Sequence, residues 1–388
     1  MRVLITTWVF PTHGGVFTFL DRMVLHLEEL GHEFAVVAVE PSPGSRRSFP
    51  HDNVAVRNVP QAPLPSPLSF PLLGLILATI DMAKEKESDL IFCQDPLFSG
   101  IPSLIASRLL GIPLALADHG TITNFTTEEY WSNFGLPLRS LWCFGCRRVI
   151  GILLAASRRI YFPGLDLLRR TRELFGEEIA SKTSVFPIGI DTDAYSPDST
   201  VRHRIRSELD LKNRVVAIFV GRLEVESGLE YLIRAASSLG PEDGILFIVL
   251  GDGTLRRYYE DLAHSRAPGL FKFLGFSERV PDYLRAADIL VFPKIFAGGY
   301  SVALREGMSS GLAPIATRGV DSHDDIIEDG VNGILVPARD EESLSASIRR
   351  LISSPDLRLT MGERARASMI SRFGIGSFNS NIEDFFLS

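Results

Sequence analysis

Short apolar, β-branched runs alternate with longer stretches of helical spacing along most of this chain. That alternation restricts the fold more than any other feature. Parallel strands cannot be joined by a tight turn, so strand–helix–strand repeats dictate parallel sheets with crossover helices. RVLITTWVF (2–10) reads as a strand, PTHGG (11–15) as a loop and VFTFLDRMVLHLEELG (16–31) as a helix closed by Gly31. FAVVAVE (34–40), DLIFCQ (89–94) and PLALADH (113–119) read as strands, with a helix over 99–110. VIGILLAAS (149–157) and RIYFPG (159–164) continue the alternation, and TSVFPIGID (183–191) closes it. A second series follows, with strands at 214–221, 244–251, 271–275, 288–293, 313–317 and 333–338. Its helices are expected at 228–240, 254–265 and VPDYLRAA, with closing helices over 341–355 and 357–373.

At 388 residues the chain exceeds one ordinary core. The expected fold is α/β, with two doubly wound domains meeting near the polar stretch IDTDAYSPDST (190–200). The assignment is 1–192 and 193–373, with a tail, 374–388, returning to the first domain. Ligands of open parallel sheets bind outside the carboxyl ends of the strands, so two such domains facing each other predict a site in the cleft between them. A net charge of −7 argues against a nucleic-acid partner. Cys93, Cys143 and Cys146 read as small buried residues in a reducing, cytoplasmic setting, with no metal site. MRVLITTWVFP reads as a first strand and not a signal peptide, because no small-residue cleavage site follows it. The apolar segments 68–80 and 149–162 fall short of the roughly 18–20 residues a bilayer span needs.

Several strand ends carry candidate chemistry, each beside a plainer reading. Gly14 and Gly15, between a strand and a helix, suit a ligand approaching the helix N-terminus, or simply a tight turn. Arg222, in GRLEVESGLEYL, suits a phosphate through its planar fork, or a salt bridge to Glu224 or Glu226. GDGTLRR (251–257) offers Gly253 to a nucleotide, or is a turn with Thr254 as helix cap. His119 at the end of ALADH can donate to a substrate hydroxyl or a phosphate, polarise a leaving group, or be structural. Residues 139–172 hold eight arginines and one acid, Asp166, interleaved with apolar residues such as Trp142 and Phe144. Arg147, Arg148, Arg158 and Arg159 in this run suit an anionic membrane face, or the solvated side of a long helix.

In order along the chain stand FPTHGG…LEELGHEFAVV, DLIFCQDPL, LLGIPLALADHG, VFPIGIDTDAYSP, VGRLEVESGLEYLIRA, LGDGTLRR, FLGFSERVPDYLRAADILVFP, LREGMSSGLAPIAT and IIEDGVNGILVPARDEESL. Together they resemble a family 4 retaining glycosyltransferase of the GT-B fold over nearly the whole length. The resemblance implies two Rossmann-like domains, the first on the acceptor side and the second on the nucleotide-sugar side. It implies transfer of a sugar from a nucleotide diphosphate donor to an acceptor hydroxyl, with retention and without a required metal or cofactor. The acceptor would be a glycan or a lipid-linked or membrane-proximal group, and the enzyme cytoplasmic or peripheral at the inner membrane face. By residue, the resemblance gives Arg222 the diphosphate, and Gly14 and Gly15 the amides near diphosphate and acceptor. His119 would lie near the donor sugar, and Glu306 would hold the ribose as the second glutamate of an E-x7-E motif. Residues 276–279, with Ser277 and Arg279, take the base-contacting position.

The departures fall on the donor half. Ser227 stands where the family has lysine, Lys294 where it has serine and Gly298 where the first glutamate of the motif belongs. Ile188 replaces an asparagine, the usual serine after RIY is lost in FPG (162–164), and Arg305 replaces an apolar residue. Lys294 then either supplies the missing positive charge from another strand end or is simply an exposed lysine. Backbone amides of Gly299, Tyr300, Ser301 and Val302 are expected to hold an unusual donor. The alternative is a non-catalytic protein of the same fold, acting as a partner subunit or a nucleotide- or glycan-binding module.

Overall fold

The periodicity resolves into two all-parallel sheets in a computed structural model that describes residues 1–9, 15–39, 51, 53–60, 71–127, 139–295, 301–320 and 323–387. The first series runs β1 (Arg2–Val9), α1 (Gly15–Glu29), β2 (Glu33–Val39), β3 (Ala55–Val59), α2 (Leu72–Glu85), β4 (Leu90–Cys93) and α3 (Gly100–Leu110). It continues through β5 (Leu114–Ala117), α4 (Thr121–Phe125), α5 (Arg139–Ala156), β6 (Arg159–Phe162), α6 (Leu165–Phe175) and β7 (Thr183–Val185). The strand order β3-β2-β1-β4-β5-β6-β7 reverses direction between β1 and β4. Phe34 to Val39 are all buried, as a strand covered by helices on both faces must be.

The second series holds α7 (Ser199–Glu208), β8 (Val215–Val220), α8 (Leu229–Ala236), β9 (Ile245–Leu250), α9 (Arg256–Arg266), β10 (Phe271–Gly275) and α10 (Val280–Ala286). Then come β11 (Ile289–Phe292), α11 (Val302–Ser309), β12 (Ala313–Thr317), α12 (His323–Ile326), β13 (Ile334–Val336), α13 (Glu341–Ser353), α14 (Pro355–Phe373) and α15 (Ile375–Leu387). The order β10-β9-β8-β11-β12-β13 repeats the reversal, now between β8 and β11. Among the described residues, 1–188 and 379–387 make one compact unit, and 189–295 with 301–378 make the other. The end of α15 packs into the first unit. Phe385 and Phe386 lie 5.7 and 5.2 Å from Phe92, ring centre to ring centre, and Glu383 meets His26 at 2.8 Å.

Some elements differ from the sequence reading. VIGILLAAS forms the second half of helix α5. Strand β3 and helices α2 and α7 were not foreseen. Thr254 does not cap the helix after GDG. Its amide and hydroxyl instead donate to the Glu224 carboxylate at 2.9 and 2.6 Å, which holds that carboxylate below its usual range. Cys93, Cys143 and Cys146 are buried free thiols.

Candidate functional site

At the carboxyl edge of the first sheet, β4 ends in Gln94-Asp95 and β5 in Asp118-His119. These strands are neighbours, so the two pairs meet. His119 Nε2 lies 2.9 Å from Gln94 Oε1. The imidazole is edge-on to Phe19 of α1 (5.3 Å) and to Tyr161 of β6 (6.1 Å). Burial in this aromatic setting pushes its pKa down to about 3, so it is neutral at physiological pH. Asp118 and Asp95 are buried too, and burial raises both carboxyls. Each is held by amides. Asp118 Oδ1 accepts from Gly120 and Ile122, both at 3.1 Å, and Asp95 Oδ1 from Phe98 (2.6 Å) and Ser99 (3.0 Å). They secure the turns into α4 and α3. Gly15 opens α1; Gly14 lies outside the described residues.

At the second sheet, the loop after β8 carries Arg222 and Ser227. Arg222 is 78% exposed and donates to Glu226 at 3.1 Å, so the salt-bridge reading holds in this structure. Ser227 turns inward. Its hydroxyl donates to the Glu224 carbonyl at 2.7 Å and accepts the Leu229 amide at 3.3 Å. The next residue, Gly228, has φ +68°, and a β-carbon there would lie 1.9 Å from the Pro293 carbonyl oxygen. Only glycine permits that approach. The Ile295 amide donates to the Glu226 carbonyl at 3.1 Å. Lys294 lies in sequence between Pro293 and Ile295, so the end of β11 that carries it packs against the loop that follows β8. The glycines of GDG have a packing reason of their own. A β-carbon at Gly251 would lie 1.9 Å from the Gly221 carbonyl oxygen, and one at Gly253 2.5 Å from that of Leu223.

Helix α11 carries the remaining candidates. Glu306 Oε1 accepts a 2.7 Å hydrogen bond from the Tyr195 hydroxyl. Arg305 is buried, with its guanidinium 5.4 Å from the Phe373 ring centre, where it replaces an apolar contact by a stacked cation. Ser301 and His323 are fully buried and 2.7 Å apart (Oγ to Nε2); His323 Nδ1 donates to the Thr317 carbonyl at 2.7 Å. The Nδ1 proton makes Nε2 the acceptor, so Ser301 donates and the start of the helix is pinned. Val302 is the first helical residue. Gly298, Gly299 and Tyr300 lie outside the described residues. Past β10, the Ser277 hydroxyl accepts the Arg279 amide at 3.1 Å, and Arg279 pairs with Asp282 at 3.1 Å.

The four arginines proposed for a membrane or acceptor do not form one surface. Arg147 and Arg148 are exposed on α5 beside exposed Leu141, Trp142, Phe144 and Ile152. Arg148 lies over the Phe144 ring at 5.1 Å, and Arg147 reaches the Thr126 carbonyl at 3.2 Å. Arg158 and Arg159 stand instead at the amino end of β6, where Arg159 donates to the carbonyls of Asp384 and Phe385. Among the described residues, no helix is long and apolar enough to cross a membrane, and no three His, Cys, Asp or Glu side chains gather as metal ligands.

Comparison with known proteins decides the family. Residues 13–194 match the model of Glycosyltransferase Family 4, and residues 201–368 that of Glycosyl transferases group 1. The chain belongs to these glycosyltransferases. It is 26% identical over 366 residues to a sulfoquinovosyl transferase of Arabidopsis thaliana, covering 92% of this chain and 67% of that protein. It is 23% identical over 382 residues to a GDP-mannose-dependent alpha-mannosyltransferase of Mycobacterium tuberculosis, covering 96% and 93%. Its GT-B fold is shared with Anabaena HepE in complex with UDP and glucose (TM-score 0.81, 20% identity, all of both chains). It is shared equally with sucrose-phosphate synthase from Thermosynechococcus elongatus (TM-score 0.84, 17% identity, 99% and 98%).

Two residues of this glycosyltransferase escaped the sequence reading. Gln94 lies within DLIFCQDPL, and a neutral amide carries no pattern that marks it. Tyr195 stands 111 residues from its partner Glu306, and no local spacing links them.

Proposed function

We propose that this glycosyltransferase moves a sugar from a nucleotide diphosphate donor to an acceptor hydroxyl with retention of anomeric configuration. The observation that supports the reading is the packing of the loop that carries Arg222 and Ser227 against the end of β11, which carries Lys294, through the Gly228–Pro293 and Glu226–Ile295 contacts. Positive charge beside a departing diphosphate stabilises the leaving group as the bond breaks, and such preorganised charge is worth most when it need not reorganise. In this reading Lys294 supplies the charge that Ser227 cannot. The serine hydroxyl is already committed to its own loop, so it is not a donor to phosphate. Arg222 exchanges Glu226 for phosphate, and Glu306, oriented by Tyr195, takes the ribose hydroxyls. The amides of Ser301 and Val302, at the start of the helix that carries Glu306, add donor contacts in this reading. Side-chain cations and amides carry the role that a metal would otherwise have, and no cofactor is assigned. The complexes of HepE with UDP and UDP-glucose, and the GDP-mannose dependence in the name of the mycobacterial relative, support a nucleotide-sugar donor.

The test is a panel of UDP-, GDP- and ADP-sugars, scored by thermal shift and by donor hydrolysis. One nucleotide class should stabilise the protein and be hydrolysed, and Lys294→Ala should weaken both. Stabilisation with no turnover on any acceptor, lipid extracts included, would instead establish the non-catalytic binding module. The Arg222–Glu226 pair and the inward-turned Ser227 are the features that favour that second reading.

The acceptor is proposed to be a glycan or lipid-linked group at an anionic membrane, on the cytoplasmic side. Helices in such units run antiparallel to the strands, so the start of α5 lies at the carboxyl edge of its sheet. Leu141, Trp142 and Phe144 with Arg147 and Arg148 combine apolar area with positive charge there, as a membrane-surface helix does. Flotation with vesicles containing phosphatidylglycerol, but not with neutral vesicles, is the expected result. Failure to float with either would remove the membrane from the reading.

A further inference from the structure

Gln94 is 3% exposed, and its side-chain nitrogen has no hydrogen-bond partner among the described residues. Its Oε1 sits 2.9 Å from His119 Nε2. A carbonyl oxygen only accepts, so the histidine proton is on Nε2, and the neutral ring then presents Nδ1 as an acceptor. Among the described residues, Tyr161 packs edge-on to the ring with its hydroxyl donating to the Phe186 carbonyl, and Asp118 precedes it in the chain. Asp95, beside Gln94, is turned onto the amides that open α3.

The geometry points to Gln94 as a positioning residue for sugar transfer: it fixes the Nε2–H tautomer of His119 and offers its own amide hydrogens to a sugar hydroxyl. This rests on the reading of His119 as a sugar-contacting group. A buried amide donor lacking an acceptor is unfavourable, and an incoming oxygen relieves it. The pair is neutral, with the imidazole pKa held near 3, so it suits a hydroxyl and not a phosphate. Loss of Gln94 therefore frees the ring to change tautomer and removes one donor at once.

Nitrogen-15 spectra of the imidazoles test this without any substrate. Eight histidines are present, and His119→Gln identifies the signal. The wild type should show a protonated Nε2 and an unprotonated Nδ1 across about pH 5–8. Gln94→Leu should mix the tautomers. Gln94→Glu, nearly isosteric, should make His119 titrate within that window, because a carboxylate favours the imidazolium. With UDP-glucose as the hydrolysis probe, Gln94→Leu should lower kcat roughly tenfold, the loss of a hydrogen bond, with KM little changed. An Nδ1–H tautomer in the wild type, or spectra of His119 unchanged by both substitutions, would overturn the proposal. Absence of UDP-glucose hydrolysis in the wild type with the expected spectra would count against the transferase reading on that donor and support the positioning geometry. If Gln94→Leu does not fold, Gln94→Glu alone decides.

Discussion

The two sheet edges solve the problem of presenting polar groups in opposite ways. At the first, His119, Gln94, Asp95 and Asp118 are buried and hydrogen-bonded before any ligand arrives. At the second, Arg222 stands in solvent and is held by a half-buried partner, Glu226. Groups at the first edge are part of the core, so altering them disturbs folding as well as chemistry. A solvent-exposed arginine contributes little to stability and is free to serve a ligand. The comparison therefore teaches where activity and stability should separate, and substitutions can break it.

The largest effect is expected from Arg222→Ala. Removing a charged donor to a developing anion costs up to about 10²–10³ in rate, so kcat/KM for the donor should fall toward that order. Its ion pair with Glu226 is an exposed one, worth roughly 0–1 kcal/mol, so the melting temperature should barely move. A variant that loses stability and activity together would show that Arg222 belongs to the fold.

The first edge should behave in the reverse sense. The His119 pKa is lowered on folding from 6.5 to about 3, so the unfolded chain binds more protons between those values. Stability is then greater above pH 6.5 and is lost as pH falls through that window. Between pH 8 and pH 5 the loss should be about 2 kcal/mol, from some 1.36 kcal/mol for each pH unit below 6.5. His119→Gln should remove that part of the pH dependence. Trp8, Trp131 and Trp142 all precede residue 189, so tryptophan fluorescence during urea unfolding follows the first unit. Identical pH slopes in the variant and the wild type would mean that the histidine is not buried neutral.

The same contrast explains what the sequence could reveal. Strongly apolar strands such as FAVVAV and ILFIVL were readable because both their faces are covered. AVRNV in β3 was not, since four of its five residues are only half-buried at the edge of its sheet. Helix α2 read only as an apolar run, because Leu73 and Leu77 are exposed and blur its periodicity. Charged candidates announced themselves by type, as Arg222 and Glu306 did. The Glu226 partner of Arg222 was also readable, four residues along the same loop, but the Gln94–His119 and Tyr195–Glu306 bonds were not, because they join residues from different elements. The glycines of GDG were legible as special, but their close packing against Gly221 and Leu223 emerged only in three dimensions.

A smaller effect should come from Tyr195→Phe. The hydroxyl orients Glu306, and losing one hydrogen bond of about 1 kcal/mol should raise KM for the donor roughly fivefold, with kcat nearly constant. Titration with the free nucleoside diphosphate should show the same loss of affinity. An unchanged affinity would separate Glu306 from ribose binding.

The smallest effect tests the second edge directly. If Arg222 must leave Glu226 to meet a diphosphate, then Glu226→Gln removes a competitor. An exposed i,i+4 pair is worth about 0.3–0.5 kcal/mol, so donor affinity should rise only about twofold. Salt should erase the gain, because screening weakens the same pair in the wild type. Isothermal titration at low and high ionic strength measures both quantities. A gain of tenfold or more, surviving high salt, would mean that the pair acts as a latch on Arg222. The second edge would then be as preorganised as the first, and the contrast between them would fail.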